Sequence, residues 1–155
     1  ILLVISVPSF ALLYSIDEMI DPAITLKVIG HQWYWSYECL GEWSRDERFA
    51  GDIEFDSYVV PSGNVFLGDL RLMDVNCKLV LPVGTRINLL VSSADSVHSW
   101  ALPPLDVRAD ACPGQLGQAS FCIKRTGTYF GQCSEICGVN HGFMPIVLEA
   151  VTQVE

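Results

Sequence analysis

Basic residues are scarce in this chain. Nine Lys and Arg stand against 18 Asp and Glu, a formal charge of −9 with histidine neutral. Such a balance excludes the basic patch on which nucleic-acid binders depend. It suits a basic protein partner, and it also serves solubility. Charge of either sign is sparse, at 17% of 155 residues, while 50% are hydrophobic, which excludes intrinsic disorder. Six cysteines are too few for a disulfide-scaffold miniprotein. There is no internal repeat and no low-complexity tract. The length suffices for one domain and not comfortably for two.

What is there begins with an uncharged run, ILLVISVPSFALLYSI, over residues 1–16. As a helix it would be about 24 Å long, and it is apolar all round rather than striped. A full span needs about 20 residues, so residues 1–21 read as the end of a transmembrane helix and its exit. Pro8 is tolerated in such a helix. A buried core helix competes with this reading. So does a signal-peptide core, although that would show a basic start and a small-residue cleavage site. Asp17, Glu18 and Asp21 follow, with no base before Lys27. Cytoplasmic flanks are rich in Lys and Arg, so residues 22–155 are expected on the translocated side. A start at Ile1 fits a processed or split chain.

After Pro22 the hydrophobic period changes to two. A strand is predicted over 25–38, with others over 52–60, 77–81, 85–92, 118–124, 127–132 and 145–151. Pro and Gly punctuate them, and no strong amphipathic helix follows residue 25. Short strands at this spacing predict a β-sandwich or barrel. Residues 39–54 read as an acidic, exposed loop.

The chemistry concentrates in GQCSEICGVNHGFMP, residues 131–145. Three residues separate Cys133 from Cys137, three more separate Cys137 from His141, and two separate His141 from Met144. Thiolate, imidazole and thioether donors in one loop point to copper, because methionine is a poor zinc ligand. A one-copper blue site takes two His, one Cys and a weak axial Met. This loop has one Cys too many, which predicts two metal ions sharing sulfurs. It also lacks a His, for which His98 in VHSW is the natural candidate. A Cys133–Cys137 disulfide and a zinc site of two Cys and two His compete with this reading.

These residues, together with GHQWYWSYE (30–38), FDSYVVP (55–61), LRLMDV (70–75) and VSSADSVHSWALP (91–103), resemble subunit II of the haem–copper cytochrome c oxidases. The resemblance covers essentially the whole chain. It implies a mainly β, cupredoxin-like Greek-key β-sandwich, preceded by the end of one transmembrane helix and holding a binuclear copper centre, CuA. By position, Cys133 and Cys137 bridge both coppers, His98 and Met144 complete one, and His141 and the Glu135 carbonyl complete the other. The Glu135 carboxylate reaches a magnesium ion at the boundary with subunit I. Trp33 is where electrons from cytochrome c enter, and Asp95 and Asp106 belong to its docking surface. Cytochrome c, subunit I and membrane lipid are the implied partners. The implied location is the mitochondrial inner membrane, with the copper domain in the intermembrane space, or else the periplasmic side of a bacterial plasma membrane.

Some positions depart from the family pattern. Gln115 replaces a usual Arg, Asn76 stands where an acid is common, and the loop near 39–51 is long. Cys39, Cys77, Cys112 and Cys122 are extra to the copper ligands, and an oxidising compartment would permit disulfides among them. The rivals are a nitrous oxide reductase, whose loop lacks the central Glu; a quinol oxidase subunit II, which lacks the ligands; and a non-redox assembly or scaffold subunit, expected to have lost at least one ligand.

Overall fold

The computed structural model describes residues 1–17, 22–40, 53–64, 68 and 70–152. Period-two alternation builds the larger sheet. In β1 (Ile24–His31) burial alternates at every step, with Ile24, Leu26, Val28 and Gly30 inside. β2 (Tyr34–Leu40) folds back antiparallel on β1, His31 opposite Tyr34. A Lys27–Glu38 ion pair of 2.7 Å closes the hairpin's outer face. β3 (Ile53–Ser57) extends the sheet beyond β2. On the other side β1 runs parallel to β5 (Arg86–Ser93), and β8 (Gly117–Cys122) is antiparallel to β5. The order is β3-β2-β1-β5-β8.

The second sheet is built on β10 (Pro145–Val151), which lies between β4 (Leu79–Pro82), its parallel neighbour, and β9 (Gly127–Gln132), its antiparallel one. A hairpin of β6 (His98–Leu102) and β7 (Val107–Ala111) links the layers, with β6 against β9 and β7 against β8. Between the sheets lie Leu26, Ile87, Leu89, Leu102, Ile146 and Leu148, with Trp35, Tyr37 and Trp100. Each such side chain contributes about 1.5–3 kcal/mol on burial. The Trp100 indole N–H donates to the Tyr37 hydroxyl at 3.3 Å, so two buried polar groups satisfy each other.

The prediction over 25–38 needs correction. It is a hairpin, β1 and β2, with Gln32 and Trp33 in the turn. β6 and β7 were not anticipated. All five residues of β6 are buried, so it shows no alternation for a pattern to find. The other six strand predictions correspond to β3, β4, β5, β8, β9 and β10.

Residues Leu2–Asp17 form the helix α1, with Leu2, Leu3, Val4, Val7 and Leu12 exposed. Among the described residues, no helix is long and apolar enough to cross a membrane. Residues 18–21 and the 41–52 part of the acidic loop, including Glu42, Asp46, Glu47 and Asp52, lie outside the described residues. No disulfide joins Cys77, Cys112 and Cys122, and Cys39 is buried on β2.

Candidate metal centre

Two segments meet at one end of the sandwich: the first residue of β6, His98, and the loop from β9 to β10. The loop's start is pinned to β6 by the Ser134 amide, which donates to the Ser99 carbonyl at 3.0 Å. A 3-10 turn, His141–Phe143, then returns the chain to Met144 and β10. His98, Cys133, Cys137 and Met144 are all buried.

The donor atoms converge. The Cys133 and Cys137 sulfurs are 3.9 Å apart, far beyond the roughly 2.05 Å of a disulfide. Cys137 Sγ lies 3.5 Å from Met144 Sδ and 3.5 Å from His141 Nδ1. Cys133 Sγ lies 3.2 Å from the Glu135 carbonyl oxygen. Ligand atoms of His98, Cys133 and Cys137 all fall within 4.8 Å of one another. The six sequence-predicted ligands are therefore gathered at one place. Glu135 itself is exposed.

His98 supplies the test of fit. Its Nε2 contacts Asp95 Oδ1 at 2.8 Å and Ser96 Oγ at 3.3 Å. Its Nδ1 is buried without a hydrogen-bond partner. An unsatisfied buried nitrogen costs about 1–3 kcal/mol, and a metal ion would remove that cost. Imidazole, two thiols and a thioether make a soft donor set that fits copper. The His98 contact to a carboxylate is the usual outer support of a metal-binding histidine.

Electrostatics separate the two thiols. Burial opposes ionisation of Cys133, but His98, the Ser99 and Glu135 backbones and His141 outweigh it and bring the thiol down to about 6. Burial, then the Cys133 charge, pushes Cys137 up to about 12. Burial also opposes protonation of His98, yet Cys133 and Asp95 raise its pKa on balance. The two thiols thus differ, Cys133 ionising more readily than Cys137.

The β1–β2 turn covers the loop. Gln32 Nε2 and Trp33 Nε1 both donate to the Cys137 carbonyl, at 2.9 and 3.2 Å. Trp35 Nε1 donates to the Met144 carbonyl at 3.3 Å, and its ring stands edge-on to His98, centroids 5.8 Å apart. Two glycines allow this approach. A Cβ on Gly30 would meet the His98 ring at 2.8 Å, and one on Gly138 (φ +123°) would meet the Trp33 ring at 3.1 Å. In the sequence, nothing about the motif GHQWYW marks Gly30 or Gln32 as serving the site. A single strand over 25–38 would put Trp33 and Trp35 on one face. Trp33 instead sits half-buried in the turn.

Asp95 and Asp106 differ sharply. Asp95 is engaged on both oxygens: Oδ1 by His98 and the Ser96 amide, Oδ2 by the Gln32 amide at 2.7 Å. Asp106 is exposed, with φ +54°, on the turn into β7. Asn76 has a structural use, since its Oδ1 accepts from the Tyr58 amide at 2.7 Å.

A β-sandwich whose end gathers imidazole, thiol and thioether donors defines a cupredoxin-like domain. Residues 24–151 match the family model of cytochrome c oxidase subunit II, periplasmic domain. The chain belongs to that family. It is 57% identical over 152 residues to cytochrome c oxidase subunit 2 of Cyanidium caldarium, covering 98% of this chain and 58% of that protein. With the mitochondrial subunit 2 of Vigna unguiculata it shares 55% identity over 153 residues, 98% of this chain and 40% of that one. The chain thus spans well under two thirds of these relatives. The crystal structure of the periplasmic domain of subunit II (CoxB) of Bradyrhizobium japonicum superposes with a TM-score of 0.74, at 38% identity over 87% of this chain and 88% of that one. A further match, TM-score 0.69 at 36% identity over 87% of this chain and 86% of that one, is subunit II in a mixed disulfide intermediate with a thioredoxin-like protein.

Proposed function

We propose that this chain is the electron-accepting part of a cytochrome c oxidase. It takes electrons from cytochrome c at a binuclear copper centre and passes them to the haem of subunit I, within a proton-pumping respiratory complex. The observation that carries this reading is the buried, unpartnered Nδ1 of His98 beside two unbonded buried thiols. Cys133 and Cys137 would bridge the two ions, His98 and Met144 would complete one, and His141 with the Glu135 carbonyl the other. When bound, the copper pair supplies a one-electron couple whose charge is shared between two ions.

The chain's own residues do the rest. Burial of His98, Cys133, Cys137 and Met144 keeps water from the site. The strands on both sides of the loop hold the donors in place whatever the redox state. Trp33 joins the surface to the site through its hydrogen bond to the Cys137 carbonyl, which supports it as the point where electrons enter. Oxygen reduction, by the family resemblance, belongs to subunit I. The exposed Glu135 carboxylate is available for magnesium at that boundary. The apolar surface of α1 belongs in lipid, with residues 22–155 in the intermembrane space. The thiol pair also suits disulfide exchange with a thioredoxin-like protein, the kind of intermediate solved for that relative.

Copper counting and electron-spin resonance on the full chain test the proposal. Two coppers per chain with one shared unpaired electron are expected. Cys133→Ser or Cys137→Ser should abolish that signal. One copper with an ordinary blue-site spectrum would refute the binuclear assignment.

A further inference from the structure

A run of hydrogen bonds through Asp95 and Gln32 links His98 to the loop, and electron entry at Trp33 does not require it. The Gln32 main-chain amide donates to Asp95 Oδ2 at 2.7 Å, while Asp95 Oδ1 holds His98 Nε2 at 2.8 Å. The Gln32 side chain reaches the other way, Nε2 donating to the Cys137 carbonyl at 2.9 Å. One residue of the β1–β2 turn therefore touches the supports of two donors that are far apart in sequence. His98 comes from β6, Cys137 from the β9–β10 loop, and Gln32 from neither.

We propose that Gln32 is a positioning residue that, with Asp95, fixes His98 and Cys137 relative to each other. This rests on the copper reading above and adds to it how the donors are held. The geometry has a physical logic. His98 is anchored by its strand, but its ring could still turn about the side-chain bonds. Asp95 fixes the ring through Nε2 and leaves Nδ1 for the metal. Asp95 is itself fixed by two main-chain amides, Gln32 and Ser96. Cys137 lies in a loop, where its carbonyl gains two donors, Gln32 and Trp33. Gly138 lets the turn close on it. Asp95 is then committed to the site, and its charge is spent largely on His98 rather than on an arriving partner.

The test uses the full chain in detergent, with and without copper. Gln32 is exposed, so Gln32→Met keeps side-chain length and should fold, as circular dichroism would verify. In the copper-free chain, amide exchange at Ser134 and His141, both hydrogen-bonded in the loop, should speed up about five- to tenfold, the loss of one hydrogen bond. In the copper-loaded chain, copper loss to a chelator should accelerate by a similar factor. Asp95→Asn should alter the copper hyperfine pattern in the absence of any partner. Wild-type exchange rates in Gln32→Met would overturn the role of Gln32. An unchanged spectrum in Asp95→Asn, with slower association with cytochrome c, would return Asp95 to the docking surface and overturn its part. A wild-type chain that binds no copper pair would sink the copper reading instead, and the copper-free exchange would still decide the role of Gln32.

Discussion

At the scale of single residues, the site is set by small differences in what each group touches. Gly30 has room for nothing more, because a Cβ would stand 2.8 Å from the His98 ring. Gly30→Ala should destabilise the copper-free chain by about 1–3 kcal/mol, as overpacking does, and slow copper uptake; thermal unfolding and a loading time course would measure both. The thiols carry a pH signature. The folded value of Cys133, about 6, lies below its ordinary 9.0. Its contribution to stability is thus fully present above pH 9 and lost as pH falls through about 6. Cys137, raised to about 12, contributes below pH 9 and loses that contribution as pH rises through about 12. The stability gap between the reduced, copper-free chain and its Cys133→Ser variant should therefore widen from pH 6 to pH 9. Denaturant melts across that window would show it, and a flat gap would remove the thiolate from the pocket.

At the scale of elements, the β6–β7 turn separates charge from structure. Asp106 occupies the left-handed region, which Asp and Asn tolerate better than most residues. Asp106→Asn should leave the melting temperature unchanged while slowing association with a basic partner, most of all in dilute buffer. Stopped-flow mixing at several salt concentrations would detect this, and a salt-independent rate equal to wild type would strike Asp106 from the docking surface. What could be read beforehand follows the same physics. β1 and β5 were legible because burial on one face imposes a period of two, as Ile24, Leu26 and Val28 display. β6 was illegible because both of its faces are buried. The β1–β2 turn was hidden because Gln32 and Trp33 are not turn-forming residues, and the aromatic run WYW continues the strand pattern through them. The ligand loop was legible because soft donors crowd into a few positions. Its supports were not, because Gln32 and Asp95 are ordinary polar residues whose roles arise only when β1, β6 and the loop meet.

At the scale of the whole molecule, the proposed function has the −9 charge and the Trp33 surface act on different steps of one encounter. On that proposal, charge would govern how fast a basic cytochrome c arrives, and its effect fades beyond about 8 Å at physiological ionic strength. Trp33 would act after arrival. Its indole is half-buried and donates to the Cys137 carbonyl, so it spans the short distance between the contact surface and a ligand's own backbone. Trp33→Phe keeps most of the apolar area and removes the N–H. Gln32 still holds the same carbonyl at the shorter distance, 2.9 against 3.2 Å, so the copper spectrum should be retained. Association with reduced cytochrome c should follow the wild-type salt dependence. Electron transfer within the docked pair should fall by an order of magnitude or more, which rapid mixing at saturating partner concentration would resolve from binding. If transfer proceeded at the wild-type rate, Trp33 would be a packing residue over Gly138. Electrons would then have to enter nearer His141, which is only partly buried.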